Sequence, residues 1–148
     1  MQLEKAKIEQ IDELVRMSKE AFDSDIEIGA KSAGGPPEYD NTNWHIQMMK
    51  EGHLLAAIES DQLVGGAIVF ITKENELYIG RIFIDPKYHR NGYGIELMKK
   101  IEESYHHHGS YNLDTPTWNV RTNTFYQKLG YTQVSRDKDF VVYKKSAN

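Results

Sequence analysis

Apolar residues recur along the chain with two different periods, which separates predicted helices from predicted strands. Residues 8–22 carry apolar side chains every three or four positions, and this spacing predicts an amphipathic helix. A second, shorter helix is predicted over 43–51, and Gly52 lies just past its end. The segment 28–41 between them contains Gly-Gly-Pro-Pro and predicts a loop. A short edge strand is predicted at 3–7.

The rest of the chain has the patterns of six strands and two more helices. The predicted strands are 53–59, 62–73, 76–85, 110–115, 131–134 and 139–145. The predicted helices are 95–105 and 123–130. Residues 64–71 are apolar without alternation, as expected for a central strand covered on both faces. The order β-α-α-β-β-β-α-β-α-β-β predicts an α/β fold around a mixed sheet.

Composition narrows the class of protein. The 148 residues are 39% hydrophobic and 27% charged, which is typical of a globular protein, and the length predicts one domain over 1–148. A net charge of -4 argues against a nucleic-acid-binding surface. The sequence has no cysteine, which excludes disulfides, cysteine metal sites and a thiolate nucleophile.

The sequence predicts neither a signal peptide nor a membrane-spanning segment. The first ten residues lack an apolar signal region. The longest apolar run, 65–71, is too short to cross a bilayer. We therefore expect a cytoplasmic protein with no membrane partner.

The least generic stretch is IDPKYHRNGYG, residues 84–94. A predicted strand ends there, a turn with Gly92 and Gly94 follows, and a helix begins, an arrangement that brings free amides close to a phosphate. A P-loop is excluded because no Gly-Lys-Ser/Thr follows. A dinucleotide fingerprint is disfavoured because Leu97 stands at the third glycine position and the preceding strands form hairpins. A plain strand-to-helix turn is the alternative.

Two motifs together resemble the N-acetyltransferase superfamily known as GNAT. HRNGYG is similar to its Gln/Arg-x-x-Gly-x-Gly/Ala signature, with His89 where Gln or Arg is usual. NVRTNTFYQKLGY, residues 119–131, resembles its Asn-x6-Tyr-x-Lys-x-Gly-Phe/Tyr element, with Asn119 seven residues before Tyr126. The order of predicted elements is also similar, so the resemblance covers nearly the whole chain. It implies a GNAT-like fold with a mostly antiparallel sheet.

The resemblance implies a site for acetyl-CoA as co-substrate, without a metal. The backbone of the fourth strand would bond the pantetheine arm and acyl group, and the glycine loop would bind the pyrophosphate. Asn119 would contact the cofactor from the fifth strand, and Tyr126 would lie near its sulfur. The implied cofactor residues are Ile82, Phe83, Ile84, His89, Arg90, Asn91, Gly92, Tyr93, Gly94, Ile95, Asn119 and Tyr126.

Because the chain has no cysteine, the implied reaction is direct attack of an amine on the bound thioester. By resemblance, Tyr126 would give a proton to the departing thiolate. Asp114 stands where N-terminal alanine acetyltransferases hold a catalytic glutamate, and Glu76 and Glu59 are further candidates for the general base. Structural roles stay open, since Tyr126 could pack against the sheet and Asp114 could bond amides beside Pro116.

The sequence leaves the acceptor open. The loop 28–41 lies where this family often builds the acceptor side, and Tyr39, Trp44 and Trp118 could line a pocket or fill the core. His106–His108 would point in different directions on a helix end and do not predict a metal site. We expect an N-acyltransferase acting on a primary amine of a small molecule or peptide, with a homodimer as a possible assembly. A non-catalytic acyl-CoA sensor is the alternative.

Overall fold

A computed structural model describes residues 1–30 and 32–147. The strands are β1 (Gln2–Lys5), β2 (Leu54–Glu59), β3 (Gln62–Ile71), β4 (Leu77–Ile84), β5 (Ser110–Pro116), β6 (Thr132–Arg136) and β7 (Phe140–Ser146). The helices are α1 (Ile11–Asp23), α2 (Thr42–Lys50), α3 (Tyr93–Ser104) and α4 (Val120–Lys128). Short 3-10 helices lie at Ile8–Gln10, Ser24–Ile28, Pro86–Tyr88 and His106–His108. The predicted order of strands and helices is confirmed.

The seven strands form one sheet in the order β1-β2-β3-β4-β5-β7-β6. Neighbouring strands are antiparallel except β4 and β5, which run parallel. A parallel pair needs a crossover connection, and α3 supplies it. The predicted hairpin of β2 and β3 turns at Ser60 and Asp61, whose positive φ values of 50° and 64° match the twist of such a turn.

Helices cover both faces of the sheet and create two cores. On the α1/α2 face, Leu14 and Met17 of α1 pack with Phe83 of β4. On the α3/α4 face, Leu97 and Met98 of α3 pack against the sheet. Each of these side chains is nearly inaccessible to water, and burying one of them stabilises a fold by about 1.5–3 kcal/mol.

A β-bulge at Gly80 changes which side chains of β4 share a face. Ile68 of β3 pairs with Arg81, but the next pair skips one residue and leaves Gly80 without a partner on β3. A Cβ at this glycine would come within 3.2 Å of the Ile68 carbonyl oxygen, so the bulge suits a residue without a side chain. Because one extra residue shifts the alternation, Arg81 lies on the α1/α2 face together with Tyr78.

Strands β4 and β5 separate soon after they begin. Their parallel register starts with Leu77 opposite Tyr111 and contains two residue pairs, although both strands continue. The facing edges of 79–84 and 113–116 therefore have no ladder between them. This gap, called the β4/β5 opening below, joins the α1/α2 face to the α3/α4 face and leaves main-chain groups available for a ligand.

The helices differ from the sequence prediction in several details. α1 begins at Ile11 rather than at 8, and α3 begins at Tyr93 rather than at 95. In α3, Leu97 is buried, whereas Ile95, the first residue of the predicted helix, is 42% exposed. α4 begins at Val120 rather than at 123, because Asn119 caps it. No helix within the described ranges is long and apolar enough to cross a membrane.

Candidate functional site

The β4/β5 opening exposes the main chain of β4. Asp85 donates its N–H to the carbonyl oxygen of Val64 on β3 at 2.8 Å, and antiparallel alternation then directs the backbone of Phe83 toward β3 as well. Ile82 and Ile84 direct their N–H and C=O groups the other way, into the opening. Of the three strand residues implied for the cofactor, Ile82 therefore directs both main-chain groups into the opening. Ile84 offers its N–H, because its carbonyl oxygen lies 2.8 Å from Nε2 of His89. Phe83 packs its side chain in the core of the α1/α2 face.

The glycine loop is anchored where β4 ends. The buried Asp85 accepts a hydrogen bond from Arg16 of α1 at 2.8 Å and one from the Lys87 main-chain N–H at 3.2 Å. The Nε2 atom of His89 lies 2.8 Å from the carbonyl oxygen of Ile84. His89, the irregular member of the motif, thus ties the loop to the end of the strand.

The N-terminus of α3 presents main-chain donors to open space. Gly92 is its N-cap residue, with φ of 77° and no side-chain cap, and the first helical hydrogen bond runs from the Glu96 N–H to the Gly92 carbonyl. The N–H groups of Gly92, Tyr93, Gly94 and Ile95 precede that bond. A Cβ on Gly92 would meet nothing within 4 Å. Four free donors and the positive end of the helix dipole suit an anion such as a pyrophosphate.

The residues beside Gly92 differ in what a side chain would meet. Arg90 and Asn91 are exposed, and Arg90 adopts a positive φ of 71°. A Cβ on Gly94 would lie 3.6 Å from the ring of Phe125 on α4, which is an ordinary packing distance. A side chain at Gly92 would thus enter open space at the first turn of α3, whereas one at Gly94 would face Phe125.

Asn119 begins α4. Its side-chain oxygen accepts the N–H of Thr122 at 3.0 Å, which makes it the N-cap of the helix, and the residue is 2% exposed. The hydroxyl of Thr122 also forms a hydrogen bond with the hydroxyl of Thr115 on β5 at 2.6 Å, so the start of α4 is linked to β5. The implied contact of Asn119 with a cofactor stays a prediction.

Tyr126 lies on the α3/α4 side of the opening. It is 8% exposed and packs edge-on against Phe125 and Tyr131, with ring centroids 5.2 and 6.0 Å away. Its hydroxyl makes no hydrogen bond within the part of the chain that the structure describes. Burial raises the pKa of Tyr126, and the negative charge of Asp114 raises that pKa further. The phenol is therefore protonated at neutral pH, and it lies close enough to Asp114 for the carboxylate charge to affect its pKa.

Asp114 reaches the same opening from the α1/α2 face. Its carboxylate oxygens each lie 3.4 Å from the hydroxyl of Tyr78, a long contact for an O–H donor. Partial desolvation raises the pKa of Asp114, and the contact with Tyr78 lowers it in part. Although neighbouring atoms partly desolvate the carboxyl, the residue is exposed, so an acceptor can reach it. The two predicted catalytic residues thus face one opening from opposite sides.

The other two candidate carboxylates are engaged elsewhere. Glu76 pairs with Lys144 at 2.8 Å and accepts a hydrogen bond from Ser110. Lys144 first, and then Ser110, lower the pKa of Glu76 to about 2, which makes it a weak base. Glu59 lies 3.0 Å from the N-terminal ammonium group. Of the three candidate carboxylates, Asp114 is therefore the one without an ion pair in the described residues, and its catalytic role stays a prediction.

The aromatic and histidine candidates each have different neighbours. Tyr39 donates a hydrogen bond to Asp23 at 2.7 Å, whereas Trp118 is 42% exposed. Trp44 lies against a cation of β4, described next. His106–His108 form a short 3-10 helix after α3, and no group of three metal-ligating side chains occurs in residues 1–30 and 32–147.

Sequence reasoning missed Arg81 and Tyr78, which the bulge brings to the α1/α2 face. The guanidinium carbon of Arg81 lies 4.6 Å from the ring centroid of Trp44, and Tyr78 stacks on Phe70 at 6.2 Å. The available signal was the charge itself, since Arg81 interrupts the apolar strand LYIGRIFI. A charged residue inside an otherwise apolar strand is an informative signal for a functional site.

The segment after α1 carries a partly buried carboxylate. Burial raises the pKa of Asp25, and the positive charge of Arg121 on α4 lowers it in part. Asp25 lies in the 3-10 helix Ser24–Ile28, which leads into the loop predicted for the acceptor side.

The geometry can be compared with known proteins. Residues 12–131 match the family model described as the acetyltransferase (GNAT) family. The chain belongs to the GNAT acetyltransferase family. This part of the GNAT chain contains the opening, the loop and both predicted catalytic residues. No curated protein sequence matches the chain.

Solved structures share the GNAT fold at low sequence identity. PaiA N-acetyltransferase from Thermoplasma acidophilum, in complex with coenzyme A, has a TM-score of 0.82 and 17% identity over 98% of both chains. A GNAT-family acetyltransferase from Streptococcus agalactiae has a TM-score of 0.83 and 22% identity, covering 98% of this chain and 94% of that one. The ribosomal-protein-S18-alanine N-acetyltransferase from Escherichia coli has a TM-score of 0.74 and 11% identity, covering 99% and 94%. These similarities establish the fold.

Proposed function

We propose that this GNAT protein moves an acetyl group from acetyl-CoA directly to a primary amine of a small molecule or peptide. The β4/β5 opening carries the proposal, because it places the protonated phenol of Tyr126 and the carboxylate of Asp114 on opposite sides of one gap. The free N–H donors at the start of α3 follow the loop that comes directly after β4. PaiA, a protein with a similar fold, was solved with coenzyme A. A cytoplasmic location and a homodimer stay predictions.

The residues at the opening fit coenzyme A. The amides from Gly92 to Ile95 would hold its pyrophosphate, because they have no acceptor in the helix. The main chain of Ile82 and the N–H of Ile84 would bond the pantetheine arm, because alternation directs them away from β3. His89, Arg90, Asn91 and Asn119 would line the cofactor beside these groups. The bound cofactor would supply an activated acyl group.

Asp114 is the residue proposed to handle the proton of the amine. It would accept that proton directly or through a water molecule, since free alkylamines have a pKa near ~10 and are protonated at neutral pH. The freed amine nitrogen then forms a bond to the thioester carbon while the carbon–sulfur bond breaks, and the nitrogen loses its second proton to solvent. The N–H of Ile82 or Ile84 would stabilise the negative charge that builds on the thioester oxygen. Asp114 finally releases its proton to solvent.

Tyr126 is proposed to protonate the departing sulfur. Burial and the Asp114 charge keep its hydroxyl protonated at neutral pH, so the proton is present when the thiolate leaves. Solvent then returns a proton to the phenolate. Over the whole reaction, one N-acetyl product, one free thiol and one proton are formed from the ammonium and the thioester.

We expect Asp114→Asn to lower kcat/KM for the amine by about 10²-fold, the lower range for loss of a general base. In the wild-type protein the rate should fall as pH falls through the pKa of Asp114, which is raised, because a protonated carboxyl cannot accept a proton. The asparagine variant should lose that acid limb. The pH profile of thiol release measures it, with Asp61→Asn in the hairpin turn as the matched control. An unchanged acid limb would give Asp114 a structural role.

The proposed function is tested by binding and turnover together. Acetyl-CoA should raise the melting temperature, since a ligand at 100 times its Kd stabilises a protein by about 2.7 kcal/mol. Thiol release from acetyl-CoA is then measured with polyamines, amino sugars, amino acids and peptide N-termini. No thermal shift at millimolar acetyl-CoA would contradict the cofactor assignment. A clear shift without turnover on any amine would favour the sensor.

A further inference from the structure

Arg81 is a partly buried cation without a counter-ion. Its Nη1 atom is buried and has no hydrogen-bond partner, and no carboxylate among the described residues forms an ion pair with it. Its guanidinium group lies over the ring of Trp44, with the guanidinium carbon 4.6 Å from the ring centroid. Desolvation lowers the pKa of Arg81, which reflects the absence of a compensating negative charge. The protein thus holds a desolvated positive charge in reach of Trp44.

Packing alone does not account for an arginine at this position. A guanidinium that loses water without gaining hydrogen bonds destabilises a fold, and stacking on an aromatic ring offsets only part of that cost. The neighbours of Arg81 on β4 are apolar, as Ile82 and Phe83 are, and an apolar side chain would suit the strand. Unpaired charges of this kind concentrate at ligand sites, where the ligand supplies the missing partner.

The position of Arg81 relative to the opening indicates which ligand this is. The bulge at Gly80 places Arg81 and Tyr78 on the same face, and the hydroxyl of Tyr78 contacts Asp114. Arg81 follows Tyr78 by three residues on the same strand and face, and both Asp114 and Arg81 influence the pKa of Tyr78. A negative and a positive group therefore both lie near Tyr78 on the α1/α2 face.

We propose that the acceptor carries a carboxylate in addition to its primary amine, and that Arg81 binds this carboxylate while the amine lies at Asp114. The inference rests on the proposed function and adds the acceptor class, an amino acid. A planar guanidinium suits a carboxylate, because the two can form paired hydrogen bonds. A polyamine is disfavoured, because its second cation would lie near Arg81 rather than near an acid.

Matched acceptors test the proposal without a variant. Initial rates of thiol release are measured with amino acids and with the corresponding amino acid amides, in which the carboxylate is a neutral carboxamide. A charge-assisted hydrogen bond predicts that kcat/KM is about 10- to 100-fold higher for the acid. Equal kcat/KM for the acid and the amide, or a preference for polyamines or amino sugar phosphates, would overturn the proposal.

Arg81→Gln then assigns the preference to this residue. The ratio of kcat/KM for acid over amide should fall to about one, mainly through KM, while the thermal shift with acetyl-CoA stays as in the wild type. Arg81→Lys, which keeps the charge, should restore part of the ratio. Lys50→Gln, an exposed position on α2, is the control for loss of one positive charge. An unchanged ratio in Arg81→Gln would give Arg81 a structural role and overturn the proposal.

Direct binding separates this inference from the proposed function. Calorimetry with an amino acid in the presence of coenzyme A reports carboxylate binding even without turnover. Arg81-dependent binding without thiol release would support the carboxylate site and contradict the catalytic function. Turnover of amines that does not depend on Arg81 would support the catalytic function and contradict the carboxylate site.

Discussion

Replacing Gly92 with valine will abolish the rise in melting temperature that acetyl-CoA produces in the wild-type protein. Gly92 is the N-cap residue of the turn that carries the four free N–H groups, and a valine side chain there would occupy open space where the pyrophosphate is expected to approach. The residue also has φ of 77°, where a side chain costs ~1–2 kcal/mol. Thermal unfolding with and without saturating acetyl-CoA measures the effect.

The strain of the substitution and the loss of the ligand can be separated. Strain lowers the melting temperature of the free protein, whereas loss of binding removes the difference between free and ligated protein. Gly94→Ala is the matched control, because its Cβ would meet Phe125 at an ordinary distance and leave the space before the donors open. It should retain the shift. A full acetyl-CoA shift in Gly92→Val would show that the pyrophosphate binds elsewhere.

Tyr126→Phe should reduce kcat by about 10²- to 10⁴-fold, the range for loss of a general acid, while acetyl-CoA still binds. The substitution removes one hydroxyl from a ring that keeps its packing against Phe125 and Tyr131. Since that hydroxyl makes no hydrogen bond within the described part of the chain, the melting temperature should hardly change. Single-turnover rates and the acetyl-CoA thermal shift measure the two effects separately.

Tyr131→Phe is the matched control for this prediction. Tyr131 is also buried in the same aromatic cluster, but its hydroxyl donates to Glu102 at 2.9 Å. Losing that bond should lower the free energy of unfolding by about 1 kcal/mol and leave kcat close to the wild-type value. If Tyr126→Phe instead retained full turnover, Tyr126 would be a packing residue of the core.

Local patterns were sufficient to predict the elements of the fold. The apolar residues of α1 and the uninterrupted run in β3 report how each segment is buried, and burial is the largest favourable contribution to folding. Turn chemistry at Ser60 and Asp61 predicted the hairpin in the same way. The start of α4 was predicted three residues late, at 123 instead of Val120, since the cap at Asn119 depends on a side chain that also suits a loop.

The candidate site was predicted in part. The glycine loop could be located because Gly92 needs a positive φ and a helix follows it, both of which are local properties. The anchoring of that loop could not be predicted, because it depends on a hydrogen bond of 2.8 Å between Arg16 and Asp85, which are 69 residues apart in the sequence. The role of His89 was likewise open until its contact with Ile84 was known.

The sequence by itself determined the order of helices and strands, the position of the glycine loop and the lack of a cysteine nucleophile, because each depends on residue type and near neighbours. Only the tertiary structure decided where β4 and β5 part, and that Tyr126 and Asp114 approach that gap from opposite faces. It also decided the face of Arg81, since the unpaired Gly80 is defined by β3 and not by β4. Strand pairing is a long-range property, and one residue of register moves a side chain to the other side of a sheet.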